Sequence, residues 1–377
     1  MKSFSKTTLA AALAATLSPI SDAADSFGEA ITETRAAGNF NLRYEDVDNS
    51  TITSDGLTLR SRLSMTTGTF QGFGASASME DVRDMLGIDD EGDLILDPEV
   101  TEIDTAFVQY KSDMVTATAG RQVIALDNQR HVGHVGWRQD RQTFDGIRTT
   151  FAPMGGTSID LAYITQYNRI VAEDADRDAN SFLLNASYQT SLGKLTAYAY
   201  LLEDETVISE SDTYGTRFNG SKDNFIYTAE FATQSSGSFD ASYYLLEAGV
   251  KVSGLTAKLG YELRGSDNGN YGFSTPLATG HAFNGWADVY LLPGADGMSD
   301  LYFALSGKAG KVNLTAVYHD YKSDELGTDK GSEVNLVATI PLAEGATGGL
   351  KYAAYSQGDA STAADRDKLW IWLGYNF

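Results

Sequence analysis

The chain ends on a strand in which Leu369, Ile371, Leu373, Tyr375 and Phe377 alternate with Trp370, Trp372, Gly374 and Asn376. A strict period of two places these sets on opposite faces of an extended segment. The apolar and aromatic face of the first set suits contact with lipid, and the other face suits a polar interior. Because a one-residue slip would exchange the faces, the pattern also fixes the register with any neighbouring strand.

The same period recurs from the start of the mature sequence. Ala36 to Val47 sets Gly38, Phe40, Leu42 and Tyr44 against Asn39, Asn41, Arg43 and Glu45, and Leu57 to Thr66 sets Leu57, Leu59, Leu63 and Met65 against Thr58, Arg60, Arg62 and Ser64. A charge on a lipid face costs roughly 2 to 4 kcal/mol at mid-membrane, so these arginines must point inward. Further strands are expected at 73–80, 104–111, 114–125, 143–151, 158–165, 182–189, 195–202, 213–220, 225–234, 242–252, 255–264, 301–307, 312–321, 333–340 and 350–356. With the terminal strand they come to roughly eighteen, which predicts an all-β fold, a transmembrane antiparallel β-barrel. An even count puts both termini at the end of the short turns, such as Ser112-Asp113 and Ser253-Gly254. Reading Ala282 to Leu291 as another strand would break that parity. The stretch Gly265 to Asp300 is therefore expected to be one long extracellular loop, with Phe273, Pro276, Phe283 and Trp286 as apolar surface for packing on the wall or folding into the mouth.

Residues 1–23 have the form of a secretory signal peptide: Lys2 and Lys6, an apolar run from Leu9 to Leu17, and small residues at Ser21-Asp22-Ala23. The barrel would occupy 24–377. No segment is long and apolar enough for a membrane helix. With no cysteine, an exported chain must rely on ladders and packing rather than disulfides. A net charge of −23 excludes nucleic acid as a partner, since phosphate binding needs clustered bases. Much of the acid lies between Glu80 and Asp104, where Arg83 is the sole base. That run reads as a solvated loop or, alternatively, as a divalent-cation site shared with surface lipopolysaccharide.

Basic residues concentrate where the acid is thin. Between Gly120 and Arg148 the chain places Arg121, Arg130, Arg138, Arg141 and Arg148 among amides, and Lys258 and Arg264 alternate on a later strand. Guanidinium groups grip carboxylates in a forked geometry that lysine cannot match. The cluster is expected either to line a permeation path with Arg43, Arg60 and Arg62, or to brace an in-folded loop by pairing with acids such as Asp127, Asp140 and Asp145. Arg121 follows Val115, Ala117 and Ala119 in alternation and would face lipid unless a bulge at Gly120 returns it to the lumen. His131 and His134 have no completing ligands nearby for a metal, and no serine signature accompanies His281 or His319 for a Ser-His hydrolase. Trp370 and Trp372 read as membrane-interface anchors.

The segment Gly120 to Asp145, with Leu42-Arg43-Tyr44, Thr58-Leu59-Arg60-Ser61-Arg62-Leu63, Phe273-Ser274-Thr275-Pro276-Leu277-Ala278-Thr279 and Phe283-Asn284-Gly285-Trp286-Ala287-Asp288, resembles the alginate-export porin family of Gram-negative outer membranes. The likeness extends over nearly all the mature chain. It implies eighteen strands around a narrowed, arginine-lined pore, in the outer membrane of a Gram-negative bacterium. Expected partners are outer-membrane lipid and lipopolysaccharide, the barrel assembly machinery through the C-terminal strand, and small polar or anionic solutes. No cofactor is expected, and both monomer and homotrimer stay open. Two other readings stand beside a passive channel: a dedicated exopolysaccharide exporter working with a periplasmic machine, and a barrel-embedded hydrolase.

Overall fold

The computed structural model describes residues 24–86, 94–206 and 209–377. The expected signal peptide lies outside these residues, as does part of the acidic run. Strands form at β1 (Arg35–Asp48), β2 (Thr53–Thr66), β3 (Phe73–Asp84), β4 (Val100–Lys111), β5 (Val115–Gln122), β6 (Thr143–Phe151), β7 (Thr157–Asn168), β8 (Arg177–Gln189), β9 (Lys194–Asp204) and β10 (Ser209–Lys222). They continue through β11 (Phe225–Ser236), β12 (Phe239–Val252), β13 (Leu255–Arg264), a small hairpin of β14 (Ser266–Asp267) and β15 (Tyr271–Gly272), then β16 (Met298–Ala309), β17 (Val312–Lys322), β18 (Asp329–Ala343), β19 (Ala346–Gln357) and β20 (Arg366–Asn376). All but the hairpin make one 18-stranded antiparallel sheet, which closes where β1 pairs with β20 from Asn39↔Asn376 to Asp48↔Asp367. Closure removes the open edges that would otherwise present unpaired backbone groups to lipid.

The expected sidedness follows from the connections. At one end the turns are short, and Ser253-Gly254 between β12 and β13 has both residues in the left-handed region, as a two-residue hairpin turn with the sheet's twist requires. The start of β1 and the C-terminal Phe377 lie at this end, where the helix α1 (Phe27–Thr32), capped by the Ser26 hydroxyl, accepts a hydrogen bond from Gly68 N on Ala30 O at 2.9 Å. The opposite end carries the long connections, including 85–99, 123–142 and 265–297.

Outward residues are apolar and exposed: Ile371, Leu373 and Tyr375 on β20, Leu259 and Tyr261 on β13, Leu301 and Phe303 on β16. Inward residues of the same strands, such as Lys368, Trp370, Glu262, Arg264 and Asp300, are buried. They are buried because loops fill the lumen. One apolar cluster seats Val132 of the β5–β6 loop with Phe273 and Leu277 of the β13–β16 loop against Phe144, Tyr167, Tyr200 and Tyr243 of the wall. A second seats Ala287 and Tyr290 against Tyr321, Tyr355 and Trp370, with Trp137, Trp286 and Trp372 beside it. Trp370 and Trp372 are thus interior residues, contrary to the expected interface role. Their place on the even-numbered, inward face of β20 is the reason.

Strand bounds agree closely where polarity alternates cleanly, as at Thr143–Phe151 and Leu255–Arg264. Several strands, such as β3, β4 and β8, run beyond the expected ends on the loop side, whereas β5 ends at Gln122 rather than at the expected Ala125, and β19 begins four residues earlier than expected, at Ala346. The segment 265–297 is a loop, as parity demanded, and its only strands are β14 and β15.

Candidate functional site

The two long loops cross inside the barrel and are joined by their backbones. Val132 bridges Leu277 in parallel, Gly133 N donates to Leu277 O at 2.8 Å, and Thr279 N donates to Gln129 O at 3.0 Å. A short run of sheet-like bonds between loops satisfies backbone groups that would otherwise be stranded in a crowded interior.

From this crossing, arginines reach the wall in two directions. On the β1–β4 side, Arg43 bonds Asp97 and the carbonyl of Trp137 and lies over the Trp137 ring at 5.2 Å. Arg138 bridges Glu45 of β1, at 3.3 Å, and Asp288 of the β13–β16 loop, at 3.2 Å. Arg141 forks onto Asp104 at 2.6 and 2.7 Å, while Arg62 pairs with Glu80 and with Asp104 at 3.4 Å. On the far side, Arg130 Nε donates to Glu262 of β13 at 2.6 Å and Nη2 to Asn284 at 2.9 Å. Although burial works against its charge, Glu262 raises the Arg130 pKa above its ordinary value, so the pair stays ionic.

The ten cations singled out by sequence therefore divide into groups. Arg43, Arg130, Arg138 and Arg141 form buried ion pairs that brace the loops, and Arg62 pairs with Glu80 and Asp104 of the neighbouring wall strands. Arg148 with Asp160 and Lys258 with Glu247 are pairs on the inner wall, and their cationic side chains keep 25% and 37% exposure. Arg60 and Arg264 make no ion pair among the described residues. Arg60 donates to Asn39 and to Gln139 O, and Arg264 donates to Tyr290 O at 2.5 Å and Leu291 O at 3.0 Å.

Arg121 stands apart. The β4–β5 ladder keeps its register through Gly120, with Phe107↔Gly120 and Ala106↔Arg121, so no bulge returns Arg121 to the lumen. The irregularity falls instead between β6 and β7 at Asp145/Gly146. Arg121 shares the outer face of exposed Ala119 and Ile147 and is bonded to Asp145 at 2.9 Å. Pairing across the strands, rather than a lumenal position, accommodates its charge.

Sequence reading missed Asp97, Glu262 and Lys351. Lys351 of β19 lies inside an aromatic box, its Nζ 3.9 Å from the Trp137 ring centroid and 4.2 Å from that of Trp286. His281 stacks on Trp137 at 4.7 Å, bonds Asp288 through Nδ1 at 2.7 Å and meets Lys351 Nζ through Nε2 at 2.5 Å. An imidazole that accepts from an ammonium is neutral, and burial accordingly pushes His281 down to about 3, with Lys351 adding to the effect against Asp288. The inward alternation of Lys351 between Leu350 and Tyr352 was the available signal for it.

His131 bonds Glu230 at 3.0 Å, while His134 bonds Gln129 through Nδ1 at 2.7 Å, so the two do not converge on one metal. His281 and His319 each contact a carboxylate, but among the described residues no serine hydroxyl is bonded to either ring.

A lumen closed by in-folded loops inside an eighteen-stranded cylinder is the architecture of a porin. The family model described as Alginate export matches residues 32–268. The chain belongs to the alginate export family. The match includes the arginine segment and the β1–β2 motifs, and ends before the Phe273 to Asp288 motifs that also carried the resemblance. No curated protein sequence matches significantly. Among solved structures the barrel is similar to OccK9 (OpdG) of Pseudomonas aeruginosa, with a TM-score of 0.74 at 14% identity over 92% of this chain and 99% of that one. It is similar to OccAB2 of Acinetobacter baumannii, with a TM-score of 0.72 at 14% identity over 93% and 99%. The Pseudomonas aeruginosa outer-membrane protein OpdK gives 0.73 at 13% identity over 92% and 99%. At these identities the likeness concerns the fold, and that fold is an outer-membrane channel barrel. Members of such families are generally not enzymes.

Proposed function

We propose that this alginate-export-family barrel passes small or extended polar solutes across the outer membrane passively, favouring anions such as carboxylates or acidic oligosaccharides. The observation that carries the reading is the pair Arg60 and Arg264, two buried lumenal guanidiniums held by neutral oxygens instead of carboxylates. In a low-dielectric interior an uncompensated guanidinium offsets the hydration an anion loses on entry. Arg148 and Lys258 extend partly exposed positive charge along the inner wall. Planar-bilayer reversal potentials at low salt test the reading. Chloride preference should weaken on Arg60→Gln and Arg264→Gln and weaken further in the double variant. Cation preference indifferent to both changes defeats it.

The loop crossing at Val132 and Leu277 favours a second reading, a dedicated exporter whose lumen opens only with a periplasmic machine. The same recordings separate the two. Steady conductance from the purified barrel alone belongs to a passive channel, and silence belongs to an exporter.

A further inference from the structure

The inner wall of β3 and β4 carries a group of carboxylates that the arginine braces compensate only in part. Glu80 and Glu102 are direct cross-strand partners. Both point inward, and Asp140 of the β5–β6 loop descends onto them, so that one carboxylate oxygen from each lies within 4.8 Å of the others. Glu80 and Asp140 are completely buried, and Glu102 is 9% exposed. Each of the two buried groups spends only one oxygen on protein donors. Glu80 Oε2 accepts from Arg62, and Asp140 Oδ2 accepts from Ala172 N at 3.4 Å. Glu80 Oε1 and Asp140 Oδ1 have no hydrogen-bond partner among the described residues.

Orphaned carboxylate oxygens cost a good deal in a buried site, because a charged acceptor forfeits its hydration without replacement. The nearby guanidiniums cannot correct this. Arg141 is forked onto Asp104, and Arg62 divides itself between Glu80 and Asp104. A bulge explains why Asp104 competes so well: Ser78 pairs with Thr105 and Met79 with Ile103, which turns both Asp104 and Thr105 inward beside Glu102. What remains is a three-carboxylate set of hard oxygen donors from two strands and one loop.

We propose that Glu80, Glu102 and Asp140 form a divalent-cation site, best suited to Ca²⁺, that fastens the β5–β6 loop to the β3–β4 wall. Calcium accepts six to eight oxygens in irregular arrangements, whereas magnesium demands a near-ideal octahedron that three side chains on separate elements do not impose. The site also gives the loop a charge-compensated anchor besides its arginines.

The test uses the full-length barrel, refolded in detergent free of lipopolysaccharide and stripped with a chelator. Equilibrium dialysis against radioactive Ca²⁺ at neutral pH should show a saturable site. Asp140→Asn and Glu102→Gln should each weaken it by about tenfold or more, while Asp48→Asn on the rim should not. Folding of each variant is checked by heat-modified gel mobility. Calcium should also raise the melting temperature of the wild type and leave that of Asp140→Asn unchanged. Three outcomes overturn the proposal: no binding by folded wild type, binding undiminished in both site variants, or thermal stability unaffected by calcium.

Discussion

Phe377 and Gly38 exchange both backbone hydrogen bonds, Phe377 N donating to Gly38 O at 3.0 Å and Gly38 N to Phe377 O at 3.1 Å. The Phe377 ring lies over Gly38, and a β-carbon there would come within 2.3 Å of it. The final residue therefore seals the seam between β1 and β20, and its ring also stacks near Phe40 and Tyr375 at 5.9 and 6.2 Å. The absence of a side chain at 38 is what admits the aromatic.

A larger residue at 38 should displace the ring. Gly38→Val is expected to destabilise the seam by about 1–3 kcal/mol, the usual range for overpacking. Deleting Phe377 removes both terminal bonds as well. Both variants should refold into detergent in lower yield than wild type, read as the fraction of heat-modifiable barrel, with the deletion more severe. Equal yields would mean that the β1–β20 ladder closes without its last pair.

Arg138 joins three elements: its own loop, Glu45 of β1 and Asp288 of the other loop. Removing one member of a buried pair leaves an uncompensated charge and costs about 3–5 kcal/mol. Lys368 remains near both Glu45 and Asp288, at 3.8 and 3.2 Å, so Arg138→Ala should fall toward the lower end of that range. The loss should loosen the loops, seen as larger and noisier single-channel conductance. Arg83→Ala, which removes a solvent-exposed pair with Asp81, should change neither conductance nor melting temperature measurably.

The contrast between these two arginines shows what a sequence carries and what it does not. The inward direction of Arg43, Arg60, Arg62 and Arg264 was legible because each sits opposite apolar neighbours in a period of two. The length of 265–297 and its loop character followed from strand parity. The partners were not legible. Arg130 meets Glu262 and Arg138 meets Asp288 only after loops from opposite walls have crossed, and Arg43 meets Asp97 only where the β3–β4 loop reaches β1. Alternation fixes the face on which a strand residue lies, but imposes nothing on a loop. Arg121 failed for a different reason: the cost of a charge on the lipid face suggested a bulge at Gly120, yet backbone hydrogen bonding held the β4–β5 register through it.

That orientation yields a selectivity test within one pair of variants. Arg121 lies on the outer face with Asp145, whereas Arg60 lies inside and makes no ion pair among the described residues. Neutralising Arg121 by Arg121→Gln should leave ion selectivity unaltered and cost little more than a partly exposed pair is worth, about 0–1 kcal/mol. Arg60→Gln should shift the reversal potential toward cations. An equal shift from both would place Arg121 in the ion path.

His281 gives the barrel an acid response of predictable sign. Its folded pKa of about 3 lies below the value of about 6.5 expected in an unfolded chain, so unfolding takes up a proton between those limits. The stability that depends on the neutral ring is fully present above about pH 6.5 and is lost as pH falls toward about 3. Protonation would set an imidazolium against the Lys351 ammonium at the centre of the tryptophan box and withdraw the acceptor that Nε2 supplies. Melting temperatures measured from pH 7 down to pH 4 should fall for the wild type. His281→Gln keeps a donor for Asp288 but has no proton to gain, so its curve should be flatter over the same window. Parallel curves would show that the acid sensitivity does not arise at His281.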